Sequence, residues 1–177
     1  MLRGINVSGQ KLIKMDALRA LIESLGYINV TTYIQSGNII FQSEHLNPDS
    51  IAQTIKSGIA DRFGFDVQVL VIDIDYIRFV IASNPFVNVM TEDTSSYYVT
   101  FLAEQPSETL VEKVKLGNYG VDEFVVSDKV VYLCCPKGYG NSKLSNTFFE
   151  NKLKVAATTR NWRTVNELLS IALQCES

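Results

Sequence analysis

One short stretch near the end of the chain combines residue types that could hold an anion. The sequence TTRNWRTV places Arg160 and Arg163 on either side of the only tryptophan, Trp162. Asn161 and Thr164 are two candidate N-caps, so we expect a helix to begin here with unpaired backbone N–H groups. Arginine beside such a helix end favours an anion site. In the alternative interpretation, Trp162 packs into the core and the two arginines pair with acidic residues. The sequence leaves the two interpretations open.

A glycine-containing loop offers a weaker signal of the same kind. In PKGYGNSKL, Gly138 and Gly140 allow a tight backbone, and Lys143 falls near the next helix start. Backbone amides and an ammonium group in such a loop can contact phosphate. The spacing does not fit the nucleotide-binding pattern G-x-x-x-x-G-K-[ST]. A plain strand-to-helix loop is the competing interpretation.

Polar side chains also gather at two points near the start of the chain. Arg3 and Asn6 lie where a first strand ends in LRGINVSGQKLIKM, and Tyr33, Ser36 and Asn38 lie at a hairpin tip in YIQSGN. These side chains could orient a bound ligand. Alternatively, the amide side chains only bond the backbone of the turn. The hairpin lacks the aromatic pattern of an RNA-recognition strand, so nucleic acid is the less favoured partner.

Charged residues are distributed unevenly. The net charge is −3, yet basic residues predominate in residues 1–19 and 136–166, and acidic residues predominate between them. Such asymmetry bears on partners rather than on fold. We expect the two basic segments to fold against each other and form one anion-binding pocket. Solvated helix faces would give the same distribution, and this alternative stays open.

The cysteine and histidine content argues against several kinds of catalysis. Cys134, Cys135 and Cys175 form no C-x-x-C motif, and His45 is the only histidine. This pattern predicts reduced thiols without a disulfide framework or a zinc site. It also leaves histidine-dependent nucleophilic catalysis without its main ingredient. We expect His45 to be a solvated loop residue, and we assign no catalytic residue, metal or cofactor.

Hydropathy predicts a soluble protein. The chain is 46% hydrophobic and 20% charged, which is ordinary for a globular protein. Its apolar runs are shorter than the roughly 18 residues of a membrane span. The start, MLRGINVSGQ, lacks the long apolar segment of a secretory signal. We therefore expect a cytoplasmic protein that does not associate with membranes.

Hydrophobic periodicity predicts the elements that position these residues. Leu18, Leu21, Ile22 and Leu25 form one helical stripe. NVTTYI and NIIFQ flank a turn, and FDVQVLVI alternates as a strand with one buried face. The second half repeats the order strand, helix, hairpin, helix, strand and helix.

This order predicts an α+β fold made of two ferredoxin-like β-α-β-β-α-β halves, each followed by a helix. The halves span residues 1–83 and 97–177, and residues 84–96 form a turn-rich linker. We expect the halves to pack into one compact unit. The sheet face opposite the helices in each half must then be covered or used.

Several of these stretches together resemble the bacterial domain-of-unknown-function family 1697. The phrases LRGINV, YIQSGN and TTRNW carry the resemblance, with one piece near each end of the chain. It implies a compact α+β protein of about this length and no particular activity. Members often carry several residues before the LRGIN strand, and only Met1 precedes it here, so we expect a shortened first strand. The polar motif positions of the family fall on Arg3, Asn6, Lys14, Tyr33, Ser36, Asn38, Lys143, Arg160, Asn161 and Trp162.

The leading prediction is that the protein binds a small anionic ligand, such as a phosphate-bearing metabolite or a nucleotide. Arg160 and Lys143 would supply charge-assisted hydrogen bonds, and helix amides would supply the rest. Tyr33, Ser36 and Asn38 would set the orientation of the ligand. A transferase or hydrolase acting on a phosphorylated or acyl substrate in the same pocket is the second hypothesis. An RNA-binding or protein-interaction module is the third.

Overall fold

The computed structural model describes residues 1–7, 9–44, 47–87 and 93–175. His45 and part of the predicted linker lie outside these ranges. The described helices are α1 (Met15–Ser24), α2 (Pro48–Phe63), α3 (Ile74–Ala82), α4 (Glu108–Lys115), α5 (Asn146–Leu153) and α6 (Trp162–Cys175). The described strands are β1 (Ile28–Tyr33), β2 (Asn38–Gln42), β3 (Tyr97–Leu102), β4 (Glu123–Ser127), β5 (Val130–Cys134) and β6 (Ala157–Asn161). The predicted α+β class is confirmed.

The chain divides into two compact units. The first contains Met1–Ile77 together with the residues from Leu168 onward, and the second contains Arg78–Glu167. Both α3 and α6 contribute residues to each unit. The predicted halves, 1–83 and 97–177, stay a prediction.

The sheet of the first unit is smaller than the sequence predicts. β1 and β2 form a two-stranded antiparallel sheet. The expected strands at the start of the chain and in FDVQVLVI are replaced by a single antiparallel bridge between Leu2 and Val69. Backbone hydrogen bonds of 2.9 and 3.0 Å flank this bridge. The strand predicted in FDVQVLVI was therefore wrong, and the shortened first strand expected at the start of the chain is present as the bridge at Leu2.

Two helices cover the core of the first unit as their sequences predict. The Asn47 side-chain oxygen accepts from the backbone N–H groups of Asp49 and Ser50, both at 3.0 Å, and so caps α2. Gly64, at φ +73°, ends α2 in the left-handed conformation. The buried faces of α1 and α2 consist of Leu18, Leu21, Ile22, Ile51, Ile55 and Ile59.

The second unit contains a four-stranded antiparallel sheet with the order β4-β5-β3-β6. Side chains from α4 and α5 pack on one face of this sheet and form a second apolar core. The opposite face carries Val99, Phe101 and Tyr132, which are fully buried. The Tyr132 hydroxyl donates to the Val80 carbonyl oxygen in α3 at 3.0 Å, so α3 contacts that face of the sheet.

Candidate functional site

The hairpin turn between β1 and β2 is held in a strained conformation. Ile34 has φ +50° and is half exposed, although a β-branched residue rarely adopts a positive φ. Asn38 is fully buried, and its Nδ2 donates to the Tyr33 carbonyl oxygen at 3.1 Å and to Ser36 Oγ at 3.0 Å. The turn is therefore fixed from inside by an amide side chain, as one of the two sequence interpretations predicts.

The start of the chain packs directly against this turn. Leu2 N donates to the Gly37 carbonyl oxygen at 2.8 Å. Gly37 has φ +78°, and a Cβ added there would lie 2.7 Å from the Cβ of Leu2 and 2.9 Å from Cδ1 of Ile5. Only glycine fits this close approach without movement of a neighbour.

Asn6 ties a second loop to the same turn. Its Nδ2 donates to the Ile13 and Gln35 carbonyl oxygens, both at 2.9 Å, and its Oδ1 accepts from Ile13 N at 2.8 Å. Asn6 itself has φ +54°, a conformation that asparagine tolerates better than most residues. The asparagine therefore has a positioning role, because its hydrogen bonds fix the backbone of two loops.

Two predicted cations directly follow residues that take part in these bonds. Arg3 is half-buried and follows Leu2, which bonds the turn. Lys14 is exposed, follows Ile13 and occupies the N-cap position of α1, where an ammonium group cannot accept a bond from the helix amides. Six predicted residues lie in the first unit, and we refer to them together as the hairpin-turn surface, in which Asn38 is the buried member: Arg3, Asn6, Lys14, Tyr33, Ser36 and Asn38.

The remaining predicted residues belong to the second unit. Arg160 lies opposite Val99 in the β3–β6 ladder and is 9% exposed, and its Nη1 donates to the Thr159 carbonyl oxygen at 2.9 Å. Burial lowers the pKa of the Arg160 guanidinium to about 10. The side chain therefore keeps its charge at neutral pH, although it lies on a buried face of the sheet.

The segment after Arg160 forms a well-capped helix start. Asn161 Oδ1 accepts from Thr164 N at 2.7 Å, so Asn161 is the cap and Thr164 lies within the first turn of α6. Trp162 is buried, which fits the interpretation in which it packs into the core. Arg163 is exposed.

Sequence reasoning missed a hydroxyl network beside the PKGYGNSKL loop. Thr159 Oγ1 donates to Asn146 Oδ1 at 2.7 Å and lies 2.7 Å from Thr100 Oγ1 and 3.0 Å from the Tyr139 hydroxyl. Since a hydroxyl has one proton, Thr100 and Tyr139 both donate to Thr159. Lys143 is exposed in the same loop. The Thr100–Thr159 contact joins residues far apart in sequence, so no local pattern predicts it.

This network and Arg160 lie on opposite faces of the second sheet. Consecutive residues of a strand point to opposite sides. Thr159 pairs with Thr100 on the side of α5, whereas Arg160 pairs with Val99 on the other side.

The cysteine thiols of the second unit are poorly suited to nucleophilic attack. Burial, with smaller contributions from Glu123 and Asp122, raises the pKa of the Cys134 thiol. Burial also raises the pKa of Cys135. A raised pKa leaves little thiolate at neutral pH. Within residues 1–7, 9–44, 47–87 and 93–175, no three His, Cys, Asp or Glu side chains are grouped to hold a metal ion.

These features define a two-unit α+β protein with a hairpin turn that is held by the side chains of Asn6 and Asn38. The chain belongs to a protein family of unknown function, DUF1697, whose family model matches residues 1–132. The resemblance noted from the sequence is therefore confirmed. LRGINV and YIQSGN lie inside the matched range, and TTRNW lies beyond it.

A solved structure has a similar fold. The conserved bacterial protein SP0830 from Streptococcus pneumoniae matches with a TM-score of 0.68 and 19% sequence identity, over 97% of this chain and 96% of that one. At this identity the likeness concerns the fold alone. No curated protein matches the chain. None of the helices described within residues 1–175 is both long and apolar enough to cross a bilayer.

Proposed function

We propose that the protein binds a small ligand carrying a phosphate or carboxylate group at the hairpin-turn surface. The observation that supports this most directly is the strained Ile34, at φ +50° in an exposed turn. A β-branched residue in this conformation costs roughly 1–3 kcal/mol, and such strain concentrates at functional sites. The hydrogen bonds of Asn6 and Asn38 keep the turn in this shape.

The residues of this surface divide into two roles. Arg3 and Lys14 supply positive charge, and the hydroxyl groups of Tyr33 and Ser36 orient the ligand. Asn6 and Asn38 are positioning residues because their amide groups bond the backbone. The first helical turn of α1 also contains an acidic residue, Asp16. Its carboxylate lies 3.5 Å from the Arg19 guanidinium, so its charge is partly compensated along the helix.

Lys143, Arg160 and Asn161 stay in the proposal as candidate ligand contacts of the second unit. Arg160 is the strongest of them chemically, because a desolvated guanidinium forms strong bonds to an oxyanion. Asn161 already uses its side-chain oxygen to cap α6 and could offer only its amide N–H groups.

A ligand panel tests the proposal. Inorganic phosphate, nucleotides and small carboxylates are added to the full chain, and the melting temperature and calorimetric binding are measured. We expect at least one compound to stabilise the parent, and Arg3→Ala and Lys14→Ala each to weaken its binding about tenfold, the equivalent of about 1.4 kcal/mol. Lys113→Ala, at an exposed position of α4, is the matched control and should bind like the parent. The proposal is wrong if no compound binds, or if the control and the Lys14 variant behave alike.

The enzyme and RNA hypotheses stay predictions from sequence. Incubating the protein with nucleotide and acyl substrates, with and without Mg²⁺, separates binding from turnover. RNA retention that falls steeply with salt would favour the nucleic-acid hypothesis.

We also propose that each unit derives from the ferredoxin-like split β-α-β pattern and that the protein is cytoplasmic. The ferredoxin-like pattern is supported by the second unit, in which the strand order is β4-β5-β3-β6 and α4 and α5 are the connections. A cytoplasmic location is supported by the three cysteines, which are free thiols.

A further inference from the structure

Two consecutive backbone N–H groups in the first loop of the chain have no acceptor in the protein. Neither Gly4 nor Ile5 takes part in a hydrogen bond with any residue within 1–7, 9–44, 47–87 and 93–175. Gly4 is exposed, so water reaches its N–H group. Ile5 is only 1% exposed, and a buried N–H group without an acceptor is rare in folded proteins. The Ile5 carbonyl oxygen also lacks a donor, which is the commoner of the two cases.

The backbone on both sides of these groups is held in place, which leaves them little freedom to turn toward an acceptor. Arg3 N donates to the Gln68 carbonyl oxygen at 3.0 Å. On the other side, Asn6 N donates to the Lys11 carbonyl oxygen at 3.2 Å, and the Asn6 side chain makes three further bonds. The Ile5 side chain is part of the apolar core of the first unit. The unpaired N–H groups are therefore fixed by neighbours that are themselves bonded.

The sign of φ changes twice across this segment. Gly4 has φ +69° and Asn6 has φ +54°, whereas Ile5 between them does not have a positive φ. A left-handed residue next to one of the opposite hand directs successive N–H groups toward one side of the chain, and such a concave segment, called a nest, binds anions. A Cβ added to Gly4 would meet none of the described atoms within 4 Å, so a ligand has room beside this residue.

The charges of this stretch also favour an anion. Residues 1–15 contain no acidic residue and three basic ones, Arg3, Lys11 and Lys14. The Lys11 ammonium donates to the Asp66 carbonyl oxygen, which is neutral, so its charge is not cancelled by this bond. A phosphate monoester carries about 1.5 to 2 negative charges at pH 7, whereas a carboxylate carries one. Phosphate therefore gains more from the same cations.

We propose that the backbone N–H groups of Gly4 and Ile5 hold the anionic group of the proposed ligand, and that this group is a phosphate. This inference rests on the proposed function and adds to it the atoms that contact the anion. One phosphate oxygen accepts from both N–H groups, so the buried Ile5 donor gains the acceptor that the protein does not supply. Arg3 and Lys14 attract the phosphate, and Asn6 keeps the loop in its shape.

Replacing one amide by an ester tests the role of a single N–H group. The α-hydroxy analogue of isoleucine is incorporated at position 5 of the full chain by suppression of a stop codon, which removes the N–H group of Ile5 and keeps its side chain. Inorganic phosphate is the probe, with acetate and sodium chloride compared at equal ionic strength. We expect phosphate to bind the parent, and the ester to weaken this binding at least about tenfold. Without phosphate, the ester should melt no lower than the parent, because the lost N–H group bonds nothing.

An ester at Leu25 is the matched control. Leu25 N donates to the Leu21 carbonyl oxygen at 3.1 Å, so its ester should melt about 3 °C lower than the parent and bind phosphate equally well. A second measurement needs no variant. In ¹H–¹⁵N spectra of the parent, the Gly4 and Ile5 amide protons should move downfield and saturate as phosphate is added. Gly64, an exposed glycine at φ +73°, is the internal reference and should not move.

The results distinguish a failure of this inference from a failure of the proposed function. If Arg3→Ala weakens phosphate binding and the Ile5 ester does not, the proposed function stands and the backbone site is wrong. Equal binding of acetate and phosphate would overturn the choice of phosphate. If neither anion binds the parent, this inference is wrong, whereas the proposed function still depends on the larger ligand panel. An Ile5 ester that melts as low as the Leu25 ester would mean that the Ile5 N–H group is already bonded, which would also overturn the inference.

Discussion

Gly37 is the residue at which the start of the chain approaches the hairpin turn most closely, so replacing it with alanine tests the description of that surface. Alanine at φ +78° costs about 1 kcal/mol in backbone energy. The added Cβ would also lie 2.7 Å from the Cβ of Leu2, an atom next to the backbone that cannot rotate away. Overpacking at such a site costs about 2 kcal/mol more. We expect Gly37→Ala to destabilise the first unit by about 3 kcal/mol.

Gly64→Ala is the matched control for this substitution. Gly64 has φ +73°, and a Cβ there would meet none of the described atoms within 4 Å. Gly64→Ala should lower the free energy of unfolding by the backbone cost alone, about 1 kcal/mol. Urea unfolding is followed by hydrogen exchange in α1, because α1 lies in the first unit whereas Trp162 lies in the second. Equal losses for the two glycines would refute the close approach of Leu2 to the turn.

Two further predictions concern the second unit. Thr159→Val removes the hydroxyl that accepts from Thr100 and Tyr139 and donates to Asn146. We therefore expect the free energy of unfolding, measured in urea, to fall by about 2 kcal/mol. The exposed control Thr147→Val should change it by no more than about 0.5 kcal/mol. Burial raises the pKa of Tyr132 to about 12 from its usual 10, so the folded state holds this proton more tightly than the unfolded state. The resulting stability is fully present below pH 10 and is lost as the pH rises to about 12, by about 3 kcal/mol in total. The free energy of unfolding is measured against pH for the parent and for Tyr132→Phe, and the difference between the two profiles isolates this loss from the titration of Arg160. If that difference does not change between pH 9 and 11.5, the raised pKa of Tyr132 is contradicted.

Local patterns predicted much of the first unit. The helical stripe of α1, the Asn47 cap of α2 and the glycine that ends it depend on residues within a few positions of one another. The hairpin between β1 and β2 depends on its turn residues in the same way. The strand expected in FDVQVLVI has the right alternation, but a strand also needs a partner. Its bridge partner is Leu2, which is distant in sequence, and no pattern within the segment reveals that pairing.

The candidate site could be predicted only in part for a similar reason. Residue type alone points to Arg3, Lys14 and the turn residues, whereas the bonds of Asn6 to Ile13 and Gln35 cross up to 29 positions and follow no local pattern. Burial of Arg160 follows from the face of β6 on which it lies. That face is set by the pairing of β6 with β3, which local sequence does not encode.

The order in which the two units can complete their folding during synthesis follows from the way the chain is divided between them. The second unit, Arg78–Glu167, is continuous, whereas the first needs both Met1–Ile77 and the residues from Leu168 onward. During vectorial synthesis on a ribosome, the continuous unit has all its residues as soon as Glu167 has left the exit tunnel. The unit that contains the N-terminus must wait for the helical residues that follow, so the part of the protein made first is the last to be completed.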